Sequence, residues 1–397
     1  MTGTELGYPF PWNPVMQMPE ALRELRKDPV VEVILPSGDT ALLVTRYHDV
    51  RALFADERLS HNIARPDVAR ISAGTELFVD PHIDGDPPRH TKVRGLIART
   101  FTARRVEALR PVAQRITDGL VEDMAAGMRP AELNEALALP LAITVICLLL
   151  GVPTEDRGQL RRSVDGFLSF TTMRPEEAAR WRQDLWKYIG DFIESKRTDP
   201  GSDLVSDLIR VRDGDDDRLN EHELHFWVQG LLIAGYVFTA SQIGTATAVL
   251  LHHRHLVDAI RRDWSLIPSA VEELLRTQIA VSSTATLRYA VEDIELDSYT
   301  IRKGASVLLS IESANVDETV FDDPFTIDIR RTENHHMTFG GGPHYCVGAA
   351  LARMELQVTT ETLLRRFRDI RLAVPAEGLP RSLGGFMEGF TKVPVEW

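Results

Sequence analysis

The sequence predicts a mainly α-helical protein with a minor β portion, folded as a single domain over residues 1–397. Three observations predict this class. Apolar residues recur every three and four positions from about residue 90 almost to residue 280, as on the buried faces of helices. Strand-like runs are confined to two regions, about 28–50 and 285–330. Neither an internal repeat nor a low-complexity linker divides the chain.

The first strand-like region has the pattern of a hairpin. The runs VVEVIL and TALLVT flank the turn sequence PSGD, and the helical stretch RYHDVRALFAD follows them. From about residue 59 to residue 86 the periodicity disappears in a segment that is interrupted by prolines and glycines. Long loops inside compact domains tend to carry function, so we expect binding residues in this segment.

The helical remainder begins after the sequence DPPRH. The clearest helical periodicity is in VEALRPVAQRITDGLVEDMA, ALALPLAITVICLLLG, RGQLRRSVDGFLSFT and RWRQDLWKYIGDFIESKR. The clusters DPGSD and RDGDDD indicate turns between helices. The second strand-like region contains LRYAVEDIELDSYTIRKGASVLLS, and GAALARMELQVTTETLLRRF is the last predicted helix.

Composition and charge exclude some function classes. Hydrophobic residues make up 44% of the chain and charged residues 26%, as in soluble globular proteins. The 45 basic and 58 acidic residues give a net charge of −13, which argues against general nucleic-acid binding. The N-terminal sequence MTGTELGYPFPWNP has no signal-peptide pattern. We therefore expect a cytoplasmic protein without a membrane partner, and a monomer.

The segment LLIAGYVFTASQIGTATAVLL, from Leu231 to Leu251, contains no charged residue. Its length alone would allow it to span a bilayer. However, it contains glycines, threonines, a serine and a glutamine, and the polar sequences EHELHFWVQ and HHRHLVDAIRRD flank it. This pattern favours a long helix buried inside a soluble protein.

The chain has two cysteines, Cys147 and Cys346. Cys147 lies in an apolar helical run, where a thiol acts as a small hydrophobic group, and a disulfide is not expected in the cytoplasm. Cys346 lies in FGGGPHYCVGAALARMEL, after three glycines and a proline and just before a helix. Glycines allow close approach of the backbone, and a helix N-terminus stabilises a thiolate.

Three kinds of chemistry fit a thiolate at Cys346. A nucleophile needs a general base, for which His344 is a candidate, and a zinc site would need further cysteines nearby. A haem iron needs only one thiolate, tuned by backbone amides. Phe339, Gly342, Cys346 and Gly348 fit the signature F-x-x-G-x-x-x-C-x-G. On this signature the sequence resembles the cytochrome P-450 family of soluble bacterial haem-thiolate monooxygenases, and the likeness covers nearly the whole chain.

The resemblance implies the P-450 fold, a single triangular-prism-like unit, with haem b as its cofactor and Cys346 as the iron ligand. Phe339, Gly340 and Gly348 would surround this ligand. In relatives, cationic side chains contact the haem propionates. The matching positions here are His90 and Arg94 in DPPRHTKVR, Arg288 in TATLRYAVED, and His344.

A second motif of the family is E-x-x-R, which EELLR matches at Glu273 and Arg276, one helical turn apart. In the family this pair joins an arginine that corresponds to Arg331, or alternatively to Arg330, in FTIDIRR. The resemblance therefore implies a structural role for Glu273, Arg276 and Arg331 on the cysteine side of the haem.

The central helix of the family usually contains A-G-x-(Asp/Glu)-Thr-(Thr/Ser), whose acid and alcohol deliver protons to dioxygen. Aligned on Ala234 and Gly235, this chain has Val237 in place of the acid and Phe238 in place of the alcohol. Neither side chain can donate a proton. Thr239 lies about 100° further around the helix axis and is a poor substitute.

Three explanations of this helix are open. The substrate or ordered waters supply protons, or the enzyme oxidises an aromatic substrate by one electron and couples radicals, or it uses peroxide or isomerises an oxygenated substrate. The helix lacks the arginine and proline of peroxygenases. The irregular helix resembles those of actinomycete coupling enzymes that act on aromatic cyclodipeptides. The specific hypothesis is coupling or tailoring of an aromatic cyclodipeptide; the alternatives are an ordinary hydroxylase or epoxidase and a non-catalytic haem-based binder or sensor.

The resemblance also implies which residues line the substrate pocket. They are largely apolar, with a few hydroxyl groups, and Arg65 is the one residue suited to clamp a carboxylate. The positions are Ile63, Ala64, Arg65, Phe78, Val79, Phe167, Phe170, Thr171, Val237, Phe238, Val281, Ser282, Ser283, Thr284, Phe386 and Met387.

Electrons must come from a partner, because the chain has neither a flavin nor an iron-sulfur fingerprint. The resemblance implies ferredoxin and ferredoxin reductase. The sequence RTFTARRVEALR concentrates Arg99, Arg104, Arg105 and Arg110 near the predicted cysteine-side face. These arginines could form a docking patch for an acidic ferredoxin, or simply a solvated helix face.

Overall fold

The computed structural model describes residues 6–12, 16–71, 80–168, 175–214, 219–278, 286–382 and 389–397. These residues are mainly helical with a minor β portion, as the sequence predicts. In chain order the α-helices are α1 (Ala21–Leu25), α2 (Tyr47–Leu53), α3 (Arg89–Thr100), α4 (Ala103–Ala126), α5 (Leu139–Leu150), α6 (Arg157–Leu168), α7 (Pro175–Thr198), α8 (Leu204–Gly214), α9 (Glu221–His252), α10 (Arg254–Arg262), α11 (Ile267–Thr277), α12 (Ile311–Ala314) and α13 (Ala349–Arg366).

The strands are short. They are β1 (Val30–Ile34), β2 (Thr40–Val44), β3 (Leu59–Ser60), β4 (Ala131–Glu132), β5 (Arg288–Ala290), β6 (Ile294–Leu296), β7 (Tyr299–Ile301), β8 (Ser306–Leu309), β9 (Arg371–Leu372) and β10 (Pro394–Glu396).

The larger sheet has the order β1-β2-β8-β5-β3, in which β2 and β8 are parallel and the other pairs antiparallel. The predicted hairpin is β1–β2, with Val30 opposite Val44. The sheet β4-β10-β9 lies outside the two β regions predicted from sequence. Its strands have two or three residues each, too few for an alternating pattern to be recognised.

Helix α9 runs through the helical core. It begins with a capping box, in which the Asn220 side chain accepts from the Glu223 amide and the Glu223 carboxylate accepts from the Asn220 amide. By length and composition α9 could cross a membrane, but most of its residues after Leu231 are buried in the protein. It is a core helix, as the sequence predicts. Gly235 lets α5 approach closely, since an added Cβ would lie 2.6 Å from Ile146 Cδ1.

The buried apolar residues form two clusters. One lies among the helices α3 to α11 and α13, and the other joins α1, α2 and the larger sheet. The chain that leads to Cys346 passes from one to the other, because Met337 belongs to the sheet cluster and Phe339 packs against the helical cluster. The cysteine loop therefore lies at the border between the two.

A fully buried carboxylate lies beneath this border. Glu273 and Arg276 of α11 have no exposed side-chain surface and are joined by bonds of 2.7 and 2.9 Å. Glu273 also accepts from Asn334 Nδ2 at 3.0 Å and lies 3.3 Å from Arg331 Nε. Arg331 is thus the arginine that reaches the pair, whereas Arg330 is exposed.

Arg276 connects this ion pair to the chain before the cysteine loop. Its Nη1 donates to the carbonyl groups of Asn315 and Pro324, both at 2.7 Å. The Asn315 amide group donates to Thr338 Oγ1 at 2.9 Å, and its oxygen accepts from the Met337 amide at 2.6 Å. The network therefore fixes where the cysteine loop begins.

Glu273→Gln should destabilise the fold strongly, because it leaves Arg276 and Arg331 buried beside a neutral group. We expect the free energy of unfolding to fall by about 3–5 kcal/mol, measured by urea denaturation followed by circular dichroism. The matched control is Glu361→Gln. Glu361 and its partner Arg365 also lie about one turn apart on a helix, but both side chains are half-exposed. That change should cost at most about 1 kcal/mol. Equal losses in the two variants would contradict a structural role for the buried pair.

Candidate active site

Cys346 closes a tight backbone loop. Its amide donates to the Phe339 carbonyl at 2.8 Å. Gly340 and Gly342 have φ angles of +68° and +60°, in the left-handed region that favours glycine. A Cβ on Gly342 would lie 2.3 Å from the carbonyl oxygen of Phe54, at the end of α2. The glycines therefore allow the loop to turn back on itself and to press against α2.

The Cys346 side chain has many protein atoms around it, but part of its surface is solvent-accessible. This combination is typical of a group that lines an internal cavity. Burial raises the pKa of its thiol. The backbone amides of Gly348 and Ala349, at the N-terminus of α13, and the guanidinium groups of Arg94 and Arg353 act in the opposite direction. These groups favour the thiolate form that a metal ion would need.

His344 is not placed as a general base for Cys346. Its ring stacks between those of His61 and His90, at centroid distances of 3.2 and 3.8 Å and interplanar angles of 16° and 19°. Burial lowers its pKa to about 2. The imidazole is therefore held in a stack of three rings and is a weak base, which argues against the nucleophile hypothesis.

A second group of residues supports the cysteine loop from α13. Arg353 binds Glu272 with two bonds of 2.7 and 2.9 Å and lies over the Phe339 ring at 4.4 Å. Burial acts to raise the pKa of Glu272, but His336 and Arg353 bring it down to about 2. Arg353 also donates to the Tyr345 hydroxyl at 3.3 Å. Sequence reasoning missed this group. The feature of the sequence that could have indicated it is Arg353, which lies two helical turns after Cys346.

The four predicted propionate contacts cluster on the other side of the loop. His90, Arg288 and His344 line one cavity, and Arg94 donates to the Tyr345 carbonyl beside Cys346. Arg288 is 7% exposed, and burial lowers its pKa to about 9. Its Nη1 donates only to the neighbouring backbone carbonyl, of Leu287, among the described residues. A buried guanidinium without a carboxylate partner is costly, so the site suits an anion.

These observations test whether haem b fits. The His90 Nδ1 atom is buried and has no hydrogen-bond partner among the described residues. Haem b presents one iron for a thiolate and two propionates for cations and N–H donors. Cys346 with its neighbouring amides matches the requirement of the iron. The requirement of the propionates is matched by the cluster of His90, Arg94, Arg288 and His344.

One stripe of α9 remains accessible. Ala234 is exposed, and Gly230 and Phe238 are half-buried, although most of the helix around them is buried. These positions are four residues apart and so share one face. Val237 and Thr239 are buried, and Val237 belongs to the helical cluster. If the family motif is aligned on Ala234 and Gly235, as expected from the sequence, its acid position falls on the buried Val237 and its alcohol position on the half-buried Phe238.

A cavity of about 970 Å³ adjoins the histidine stack. Ile63, Ala64 and Arg65, which are expected from the sequence to line the substrate pocket, are among the residues that line this cavity. Phe226 and Trp227 of α9 also line it, and sequence reasoning missed them although they lie two turns before Ala234 on the helix. Val237 and Phe238, which were also predicted to line the pocket, do not line this cavity.

The remaining predicted pocket contacts lie outside the residues that the structure describes. They are Phe78, Val79, Phe170, Thr171, Val281, Ser282, Ser283, Thr284, Phe386 and Met387, together with the side chain of Phe167.

Comparisons with known proteins agree with this geometry. Residues 167–377 match the family Cytochrome P450. Nocardicin C N-oxygenase of Nocardia uniformis subsp. tsuyamanensis is 40% identical over all of both chains, and the mycinamicin IV hydroxylase/epoxidase of Micromonospora griseorubida is 42% identical over 98% of each. The crystal structure of SgvP, proposed as a thioether synthase in griseoviridin tailoring, superposes with a TM-score of 0.93 at 38% identity, covering both chains fully.

Gly342→Ala should disrupt the cysteine loop, because the new methyl group would meet the Phe54 carbonyl in addition to the strained φ. We expect haem uptake to fall and the free energy of unfolding to drop by more than the roughly 1–2 kcal/mol that a left-handed alanine costs alone. Gly304→Ala is the control, since φ there is +91° but the nearest atom is 4.0 Å away. If both variants lose the same stability and bind haem equally, the proposed close contact is not what fixes the loop.

Proposed function

The chain belongs to the cytochrome P450 family, and we propose that it oxidatively tailors a small aromatic natural product of bacterial secondary metabolism. It is a P450 monooxygenase with haem b as cofactor. Relatives named as N-oxygenase and hydroxylase/epoxidase support a tailoring role. The more specific proposal is coupling or tailoring of an aromatic cyclodipeptide.

Cys346 would bind the haem iron, and His90, Arg94, Arg288 and His344 would bind the propionates. When bound, haem supplies the activation of dioxygen with electrons from a redox partner. The protein's own part is to keep the thiolate in place through the Gly348 and Ala349 amides, to neutralise the propionates and to exclude water from the buried pocket.

The observation that carries the proposal is the accessible face of α9. Ala234 and Phe238 present only apolar atoms there, and the Thr239 hydroxyl is buried about 100° away from Phe238. The helix therefore offers no acid-alcohol pair for proton delivery, and protons must come from the substrate or from waters that the substrate orders. Three aromatic residues of α9 also favour an aromatic substrate, namely Phe238 on the accessible face and Phe226 and Trp227 in the cavity beside the histidine stack.

A second candidate is ordinary hydroxylation or epoxidation of a non-aromatic substrate, which the mycinamicin IV relative favours. The two are separated by incubating the loaded enzyme, ferredoxin and ferredoxin reductase with tryptophan- or tyrosine-containing cyclodipeptides and with macrolides. Mass spectrometry would detect gain of an oxygen atom, loss of two hydrogens or doubling of mass. A product from macrolides alone would contradict the aromatic proposal.

The double variant Val237→Asp, Phe238→Thr restores the acid and alcohol of the family. We expect turnover of an aromatic substrate to fall about tenfold or more, because the aromatic packing face is lost while protons already have another source. Turnover rate and product identity are measured together. A faster double variant with unchanged products would show that the native helix simply lacks a proton donor. Thr239→Val should leave the rate within about twofold, since its hydroxyl lies on another face.

Bacterial P450s of this type receive electrons from ferredoxin and ferredoxin reductase. The proposed docking patch is smaller than the sequence suggested. Arg105 forms an ion pair with Asp207 at 2.7 Å, and Arg110 forms one with Glu107 at 2.6 Å. Both guanidinium groups are therefore already paired with carboxylates of the same chain. Arg99 and Arg104 are exposed and make no ion pair with the described residues. A cytoplasmic, monomeric protein is part of the same proposal.

Arg99→Glu with Arg104→Glu should slow reduction by ferredoxin about tenfold at low salt and flatten its salt dependence, because charge steers the encounter. Stopped-flow reduction kinetics at several ionic strengths measure this effect. Arg302→Glu is the control, since Arg302 is also exposed, although it pairs with Asp293, and it directly follows β7, away from α3 and α4 in the chain. Reduction as fast as that of the unmodified protein would mean that these arginines form only a solvated helix face.

A further inference from the structure

His61 extends the row of imidazoles formed by His344 and His90. It directly follows β3, and its ring stacks on His344 at 3.2 Å. His61, His344 and Arg288 line the same cavity. Among the described residues, no hydrogen bond occupies the ring nitrogens of His61. His61 lies in the segment from about residue 59 to residue 86, where the sequence predicts binding residues, but no motif marks this histidine.

Asp86 holds His61 in this position. Its carboxylate accepts from the His61 backbone amide at 2.8 Å, from the Ser60 hydroxyl and from Asn62 Nδ2 at 3.0 Å. The Asn62 side-chain oxygen in turn accepts from the Gly85 amide at 2.7 Å. A Cβ on Gly85 would lie 3.0 Å from the His61 Cβ, so the two segments are packed as closely as glycine allows.

The charge around the stack is unbalanced. Two described carboxylates act on this cluster, Asp86 on Arg288 and on His90, and Asp84 on His90. Asp86 already accepts from Ser60, His61 and Asn62, and Asp84 accepts from Asn62 and from the Asp86 amide. Arg288 is buried without a carboxylate partner among the described residues, and His90 Nδ1 is unpaired there. Arg288 and His90 Nδ1 are therefore not hydrogen-bonded to any described carboxylate, so both are open to an anionic ligand.

We propose that His61 is a further hydrogen-bond donor to the haem propionates and that Asp86 is the positioning residue that holds it there. Burial, with a contribution from Arg288, keeps the pKa of His61 well below its ordinary value. In either protonation state the imidazole has an N–H that can donate to a carboxylate. The inference rests on haem binding by this family and is independent of the substrate proposed above.

Two variants of similar size separate hydrogen bonding from packing: His61→Leu removes the donor, and His61→Gln keeps an N–H. The holoproteins are mixed with excess apomyoglobin, and the rate of haem transfer is measured together with the midpoint potential of the ferric/ferrous couple. His61→Leu should lose haem about tenfold faster, as expected for one hydrogen bond to a charged acceptor. Its potential should become more negative, because a less neutralised propionate opposes addition of an electron. His61→Gln should have nearly the same haem-transfer rate and midpoint potential as the unmodified protein.

Asp86→Ala should also speed haem transfer and make the midpoint potential more negative. The double variant Asp86→Ala, His61→Leu should differ little from His61→Leu alone in both measurements. His48→Leu, at an exposed histidine outside the cavity, is the control and should change neither. Unchanged haem transfer and potential in His61→Leu would overturn the proposal. Equal changes in the Leu and Gln variants would also overturn it, because they would assign the effect to packing. Neither readout uses a substrate, so failure of the substrate proposal would leave this result intact.

Discussion

The buried carboxylate of Glu273 is the constraint on which the cysteine loop depends. A carboxylate with no exposed surface is tolerable only if charged partners surround it, and Arg276 and Arg331 do so. Arg276 then has to extend to carbonyl groups around Asn315 and Pro324, which places that segment beside α11. Since this segment also binds the chain at Met337, the start of the cysteine loop is set by the ion pair.

Local sequence predicts those parts of the site whose geometry is local. The glycines of the cysteine loop and the N-terminus of α13 lie within a few residues of Cys346, so their pattern indicates the thiolate site directly. The same holds for the capped, apolar helix α9. The sheet β4-β10-β9 was not predictable, because strands of two or three residues from distant parts of the chain carry no periodicity of their own.

Contacts between distant residues account for what sequence reasoning missed at the site. His61 and His344 lie 283 residues apart in the chain and stack in the fold, where the pairing of β3 with β5 also brings His61 to the strand that carries Arg288. Likewise, the basic run after α3 suggests a free patch, but Arg105 is paired with Asp207 of α8. Side-chain charge is read from the sequence, whereas the partner that neutralises it is a property of the tertiary fold.

The net charge of −13 conceals a pocket of the opposite character. Around the histidine stack the protein buries Arg288 and His90 Nδ1, and no described carboxylate is hydrogen-bonded to either, an arrangement that is unfavourable for the polypeptide alone. The propionates of haem supply the missing negative charge, so binding of the cofactor should stabilise the fold as well as equip it for oxidation. Along the accessible face of α9 the opposite holds, because this face lacks polar groups. There the accessible residues Ala234 and Phe238 are apolar, and under the proposed function the substrate supplies the polar groups that complete the site.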